Sequence, residues 1–405
     1  MDRTTRQKQC VSKWIKCGGK GTLQACTGFG KTRVALTIIQ SLVKVNPDSF
    51  TIIVVPTEML KDQWMEELIK WHLFEHCQIE IINSVINKEW TCDLLIIDEA
   101  HLMASETFKR VFDVIKYKMI LCLTATLERL DGKEIIIKNF APVYDTIMLQ
   151  EAEENKWVSP HKEYVVLLDV DLTSYKEIDR KFNSYFAYFN WDFDIAMNCV
   201  KDWEFRNKYA KQMGLAPKDV LAMAMDWNRC MRKRKEFIMS HPKKIEICKK
   251  ILEARKDKKC ITFSATIKDS EAIGIGEVIH SKKSKAKNKE IIKKFNEATS
   301  GVLCTSKAAD QGADISGLSV AVIMSTDSSK IRKTQRIGRT IRFEEGKTAE
   351  LFTLIIKGTQ EWKWFQNSNT TKTIVINESQ LNDILVGKSI ETREREIEFD
   401  TQFRF

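Results

Sequence analysis

Short runs that are apolar at consecutive positions recur along the first third of this 405-residue chain: TLQAC (22–26), TIIVVP (51–56), DLLIIDEAH (93–101) and MILCLTAT (119–126). Runs this short, without polar alternation, belong to strands covered on both faces of a parallel sheet. Between them, Val34, Ala35, Ile38, Ile39, Leu42 and Val43 mark one helix face, and Leu60, Trp64, Leu68 and Trp71 mark another. Strand–helix alternation of this kind builds a doubly wound α/β domain. A second series follows at KCITFSA (259–265), EVIH (277–280), GVLCTS (301–306), VAVIM (320–324) and AELFTLII (349–356). The expected organisation is one α/β domain over 1–155 and a second over 156–365. The second carries a helical, aromatic-rich insertion at about 172–240, and a polar, weakly patterned tail covers 366–405.

Composition narrows the class. Hydrophobic residues make up 43% and charged residues 30%, ordinary for a soluble globular chain. No apolar run reaches bilayer-spanning length, and the polar start MDRTTRQKQC lacks the core of a secretion signal. Eleven cysteines without a C-x-x-C pair read as reduced thiols in a cytoplasmic protein, not as a disulfide or zinc framework. His72 and His76 lie four apart without a third ligand and read as an exposed helix face. The net charge of +10 is concentrated: Arg229–Lys259 holds 13 basic and 4 acidic residues, and Lys282–Lys294 holds 7 basic and one acidic. Such stretches fit a polyanion with a phosphate backbone, or equally the solvated faces of helices.

ACTGFGKT (25–32) lies between an apolar strand and an amphipathic helix. It matches the phosphate-loop pattern G-x-x-x-x-G-K-[ST], except that Ala25 replaces the first glycine. Gly28 and Gly30 let the backbone bend its N–H groups toward phosphate oxygens. Lys31 would neutralise the β- and γ-phosphates, and the Thr32 hydroxyl would ligate Mg²⁺. About 65 residues on, IIDEAH ends an apolar run in Asp98 and Glu99, at the strand end where α/β sheets place ligands. Asp98 suits Mg²⁺ held through water, and Glu99 suits polarising an attacking water.

ACTGFGKT, DEAH, TAT (124–126) and QRIGRTIR (335–342), in this order, resemble motifs I, II, III and VI of superfamily 2 helicases. IIVVPTEMLKDQW, ITFSAT and TSKAADQGADI (305–315) resemble motifs Ia, IV and V, and Arg6-Gln7-Lys8-Gln9 resembles the Arg-x-x-Gln of a Q motif. PTEMLKDQWMEEL and LTATLERLDGKE are most similar to the DNA-directed group around XPB and the phage helicase UvsW.

The resemblance implies two RecA-like domains, an ATP site using Mg²⁺, and a monomeric 3′→5′ motor acting on branched DNA in a host bacterial cytoplasm. It implies that Gln9 reads adenine with Arg6 in support, and that Thr27, Gly28, Phe29, Gly30, Lys31 and Thr32 hold the nucleotide with Gly312 and Asp314. His101, Thr124 and Thr126 would couple the two sites. Gln335 would stand near the attacking water, Arg339 and Arg342 would reach the γ-phosphate from the second domain, and Thr57, Thr305 and Ser306 would meet the strand. The sequence departs from the pattern at Leu127, where proline is usual, and over 75–92, where motifs Ib and Ic are not recognisable. An RNA helicase, a restriction-system motor and a non-catalytic binding module are the alternatives. In the insertion, Tyr185, Phe189 or Trp191 could stack on bases; the blander reading, favoured for any one ring, is a hairpin burying Phe182, Tyr185, Phe186 and Phe189.

Overall fold

The computed structural model describes residues 1–104, 109–127, 132, 134–306, 315–325, 347–366 and 373–389. Six strands form the first sheet: β1 (Lys20–Ala25), β2 (Thr51–Val55), β3 (Cys77–Ile81), β4 (Trp90–Ile97), β5 (Ile115–Thr124) and β6 (Val143–Ile147). Their spatial order is β3-β2-β4-β5-β1-β6, and each pairing is parallel. The second sheet contains β7 (His161–Leu168), β8 (Lys259–Ser264), β9 (Glu277–Ile279), β10 (Gly301–Ser306), β11 (Val320–Ile323), β12 (Ala349–Ile356) and β13 (Thr373–Asn377). Its order is β13-β7-β12-β11-β8-β10-β9, again parallel throughout. All five residues of β2 and all eight of β12 are buried, as two-faced coverage requires. These are two RecA-like domains, as the sequence implies.

Helices of eight or more residues are numbered here. In the first domain they are α1 (Arg3–Lys16), α2 (Lys31–Val45) and α3 (Glu58–Lys70). The insertion contributes α4 (Thr173–Ala187), α5 (Phe193–Lys201), α6 (Trp203–Met213) and α7 (Pro217–Met239). The second domain adds α8 (Pro242–Ala254), α9 (Lys285–Glu297) and α10 (Glu378–Leu385). The stretch expected as a tail therefore contains β13 and α10. Thr373–Asn377 pairs with β7, and α10 opens with a reciprocal cap between Asn377 and Gln380. An apolar cluster runs through both domains, from Val34 and Ile53 to Ile261 and Phe263. Among the described residues no helix is long and apolar enough to cross a membrane.

The insertion has a core of its own. Fully buried Trp227 of α7 meets Phe182 and Phe186 of α4, with ring centroids 6.0 and 5.5 Å away. Phe189 and Phe193 close the cage at 6.5 and 5.5 Å. The Arg234 guanidinium lies 4.0 Å over the Phe182 ring and is ion-paired to Asp179 at 2.8 Å. Phe189 is thus sealed inside and unable to reach a base, and Tyr185 is half-buried, whereas Trp191 is 58% exposed. Asp192 and Asp202 cap α5 and α6, each accepting backbone N–H bonds from the first turn.

Candidate nucleotide site and its coupling network

The phosphate loop turns on two left-handed glycines, Gly28 (φ 87°) and Gly30 (φ 90°), the second capping α2. Gly30's left-handed backbone favours glycine, and a Cβ there would stand 2.6 Å from Gln7 Nε2 and displace that amide from the loop. Three loop carbonyls are occupied by donors. Gln7 Nε2 donates to Phe29 O at 2.7 Å, Arg3 Nη1 to Gly28 O at 3.2 Å, and Lys31 Nζ to Ala25 O at 3.1 Å. Carbonyl oxygens repel an anion, so engaging them favours a phosphate at this loop. Phe29 is buried against Trp157, with centroids 5.5 Å apart, and Lys31 and Thr32 open α2 half-buried.

The glutamine that bonds the loop is Gln7, whereas Gln9, expected to read adenine, is exposed on another face of α1. Helical spacing explains the burial of Gln7, which shares a face with Cys10, Val11 and Trp14. Arg6 supports it indirectly by pinning the helix. Its guanidinium bonds both oxygens of Asp145 at 2.6 and 3.0 Å and reaches Glu151 at 2.8 Å, while Lys13 adds a third bond to Asp145 at 2.8 Å. Burial works to raise the Asp145 carboxyl, but these cations hold it down to about 2.

At the end of β4, Asp98 accepts from Glu99 N through Oδ1 and from the Trp64 indole Nε1 through Oδ2, both at 2.9 Å. Burial first, then neighbouring Glu99, pushes Asp98 up to about 6, while Trp64 and Lys31 pull the other way. Glu99 has a left-handed backbone (φ 49°), a cost of about 1–3 kcal/mol for a non-glycine residue. Its Oε2 is buried without a hydrogen-bond partner among the described residues, 3.4 Å from His101 Nδ1. His101 Nδ1 lies 3.2 Å from Thr124 Oγ1, which donates to Thr126 O at 2.8 Å and accepts from Thr126 N at 3.3 Å. With the hydroxyl proton directed to Thr126 O, the ring nitrogen is the donor. The three residues expected to couple the sites therefore form one hydrogen-bonded chain, with Glu99 Oε2 beside its first member.

This donor set fits Mg²⁺-bound triphosphate. Hydroxyl and carboxylate oxygens suit a hard cation, and an orphaned buried carboxylate oxygen has room for a new donor such as water. Bound there, Mg²⁺ supplies neutralisation of charge on the β- and γ-phosphates.

The expected strand contacts divide. Thr57 caps α3 half-buried, accepting from Leu60 N at 3.3 Å. Thr305 is fully buried and its hydroxyl donates to Thr262 O at 2.8 Å, so the sheet itself has claimed the group expected for phosphate; Ser306 is 5% exposed. On α9, Ile291 and Phe295 are buried while Lys285, Lys287, Lys289, Lys293 and Lys294 are exposed. Gly312, Asp314, Gln335, Arg339 and Arg342 lie outside the described residues. All eleven cysteines are free and Cys17 alone is exposed; burial pushes a thiol such as Cys122 up to about 12.

A family model for the helicase conserved C-terminal domain matches residues 243–344, and one for the type III restriction enzyme res subunit matches 1–91 and 87–129. DNA 3′-5′ translocase XPB2 of Sulfurisphaera tokodaii is 27% identical over 380 residues, which cover 88% of this chain and 82% of the relative. Putative ATP-dependent RNA helicase QP509L of African swine fever virus is 31% identical over 146 residues, 29% of this chain and 27% of its own length. The Pyrococcus furiosus Hef helicase domain superposes with a TM-score of 0.53 at 15% identity, covering 90% of this chain and 98% of that one. S. cerevisiae Dbp5 bound to RNA and ADP BeF3 gives 0.58 at 14%, covering 94% and 91%. Identities this low speak for the fold alone. With matching models in both domains and a relative aligned through nearly the whole chain, this protein belongs to the superfamily 2 helicases and is an ATPase related to XPB.

Proposed function

We propose that the chain is an ATP-driven DNA translocase or helicase, moving 3′→5′ and remodelling branched duplexes such as forks and junctions. The observation that carries this reading is the extent of the likeness to the XPB2 translocase. It runs through both domains, whereas the match to the viral RNA helicase spans less than a third of the chain.

Lys31 and Thr32 would hold the triphosphate, Asp98 the Mg²⁺ through water, and Glu99 would orient the attacking water with its free oxygen. His101, Thr124 and Thr126 would pass the state of that site toward the track. Arg339 and Arg342 would approach from the second domain, where an arginine is worth about 10³–10⁵ in rate. Closure on ATP and opening after hydrolysis would then ratchet the domains along one strand. Thr57 and the exposed lysines of α9 are the proposed backbone contacts, with salt-sensitive, sequence-independent affinity. We propose a monomeric motor of the phage recombination type. The restriction-motor reading is favoured by the first-domain model match alone.

Steady-state ATP hydrolysis without nucleic acid, and with single-stranded DNA, duplex, four-way junction or RNA, tests the proposal. Stimulation is expected to be largest on branched DNA and lost in Arg339→Ala. Stimulation by RNA alone would move the assignment to an RNA helicase.

A further inference from the structure

Helix α3 touches three functional parts of the molecule within two turns. Its cap, Thr57, follows β2 at the carboxyl edge of the first sheet. Its Asp62 carboxylate accepts from Lys289 Nζ of α9, in the second domain, at 2.6 Å. Its Trp64 indole, 2% exposed, donates to Asp98 Oδ2 at 2.9 Å. A buried indole N–H needs an acceptor, and here that acceptor belongs to the acidic pair of the nucleotide site. Asp98 is thus tied on one oxygen to its own chain, through Glu99 N, and on the other to α3. The helix between these points is thirteen residues long, capped, and regular enough to move as one body. Sequence alone places Trp64 on the sheet-facing side of α3 and gives no sign that its nitrogen reaches a carboxylate.

We infer that Trp64 is a positioning residue that couples the nucleotide site to the DNA track. By fixing Asp98 to α3, it makes the orientation of that carboxylate and the placement of Thr57 and Asp62 a single variable. A nucleotide that draws on Asp98 shifts α3, and a DNA strand or second domain that moves α3 reorients Asp98. The inference rests on the motor reading above.

Coupling between sites is reciprocal, so it can be read from binding without turnover. The measurement is anisotropy of a labelled single-stranded oligonucleotide, with and without Mg²⁺ and a non-hydrolysable ATP analogue, for wild type, Trp64→Phe and Asp62→Asn. Phenylalanine keeps the ring in the core and removes the N–H; Asp62 is half exposed and its substitution leaves the core intact. Trp64→Phe is expected to bind DNA alone and nucleotide alone within about twofold of wild type. Its nucleotide-induced change in DNA Kd should shrink about fivefold or more, within the range typical of site–site coupling, with a smaller loss in Asp62→Asn. A full wild-type shift in Trp64→Phe overturns the inference; should that variant fold poorly, a full shift in Asp62→Asn does so. A wild type that shows no shift at all instead overturns the motor reading.

Discussion

Both sheets end in buried carboxylates, and the two are treated in opposite ways. Beyond β11 and β12, Glu361 faces Lys244 across 2.8 Å with both side chains fully buried. Lys244 also donates to Met324 O at 2.9 Å, and Glu361 accepts from Ile356 N at 3.2 Å. Burial pulls the Lys244 ammonium below its ordinary range, while Glu361 works to restore it. Beyond β4, Glu99 keeps one buried oxygen without a hydrogen-bond partner among the described residues, on a left-handed backbone, beside an Asp98 raised to about 6. A buried charge answered on every side is structure. One left short of a donor, at a cost the fold bears elsewhere, is kept for something that arrives.

The sharpest way to break this contrast is to remove each charge in turn. Glu99→Gln should lower the ATPase kcat by on the order of 10²–10⁴ while Tm stays level or rises, since a charge crowded against Asp98 is lost. Activity retained in that variant would end the distinction. Lys244→Met should instead destabilise the fold by about 3–5 kcal/mol in urea titration, because Glu361 is left buried and unpaired. Adding Glu361→Leu should recover most of that loss. A smaller effect separates the two glutamines: Gln7→Ala leaves Phe29 O unpaired, at about 1–3 kcal/mol, and should raise the KM for ATP. Gln9→Ala should leave Tm unchanged, since its side chain is exposed. The mildest effect is one of pH. Asp145 is held near 2 against an ordinary 3.8, so its contribution to stability is complete above about pH 4 and disappears as pH falls toward 2. Asp145→Asn should flatten that part of the acid-denaturation curve.

What the sequence revealed follows how each element is buried. The apolar runs at 22–26, 51–56, 93–101 and 119–126 became β1, β2, β4 and β5, and the five later runs became β8 to β12. The strands missed include β3, β6 and β13, three of the four edge strands, the fourth being β9. CQIEI alternates over only five residues, VYDTI exposes Val143 and buries Asp145, and TIVIN offers only three apolar residues in a row, so each carries too little pattern. β7 was hidden by its polar opening, His161-Lys162-Glu163.

At the site, the loop and the acidic pair were legible because their chemistry dictates residue type at fixed spacing. Gln7 was within reach of the same logic, since it repeats at helical intervals with Cys10, Val11 and Trp14. The Trp64–Asp98 bond and the burial of the Thr305 hydroxyl were not, because both depend on which side chains meet across elements distant in sequence.

The central claim is that the site powers movement on DNA, and one measurement tests it most directly. ATP hydrolysis by wild type and Glu99→Gln would be followed on a four-way DNA junction and on an RNA strand of equal length. Strong stimulation of wild type by the junction is expected, with little by RNA and near-background turnover in the variant on both. Turnover in the wild type that is indifferent to DNA, or equal turnover in the variant, would contradict it.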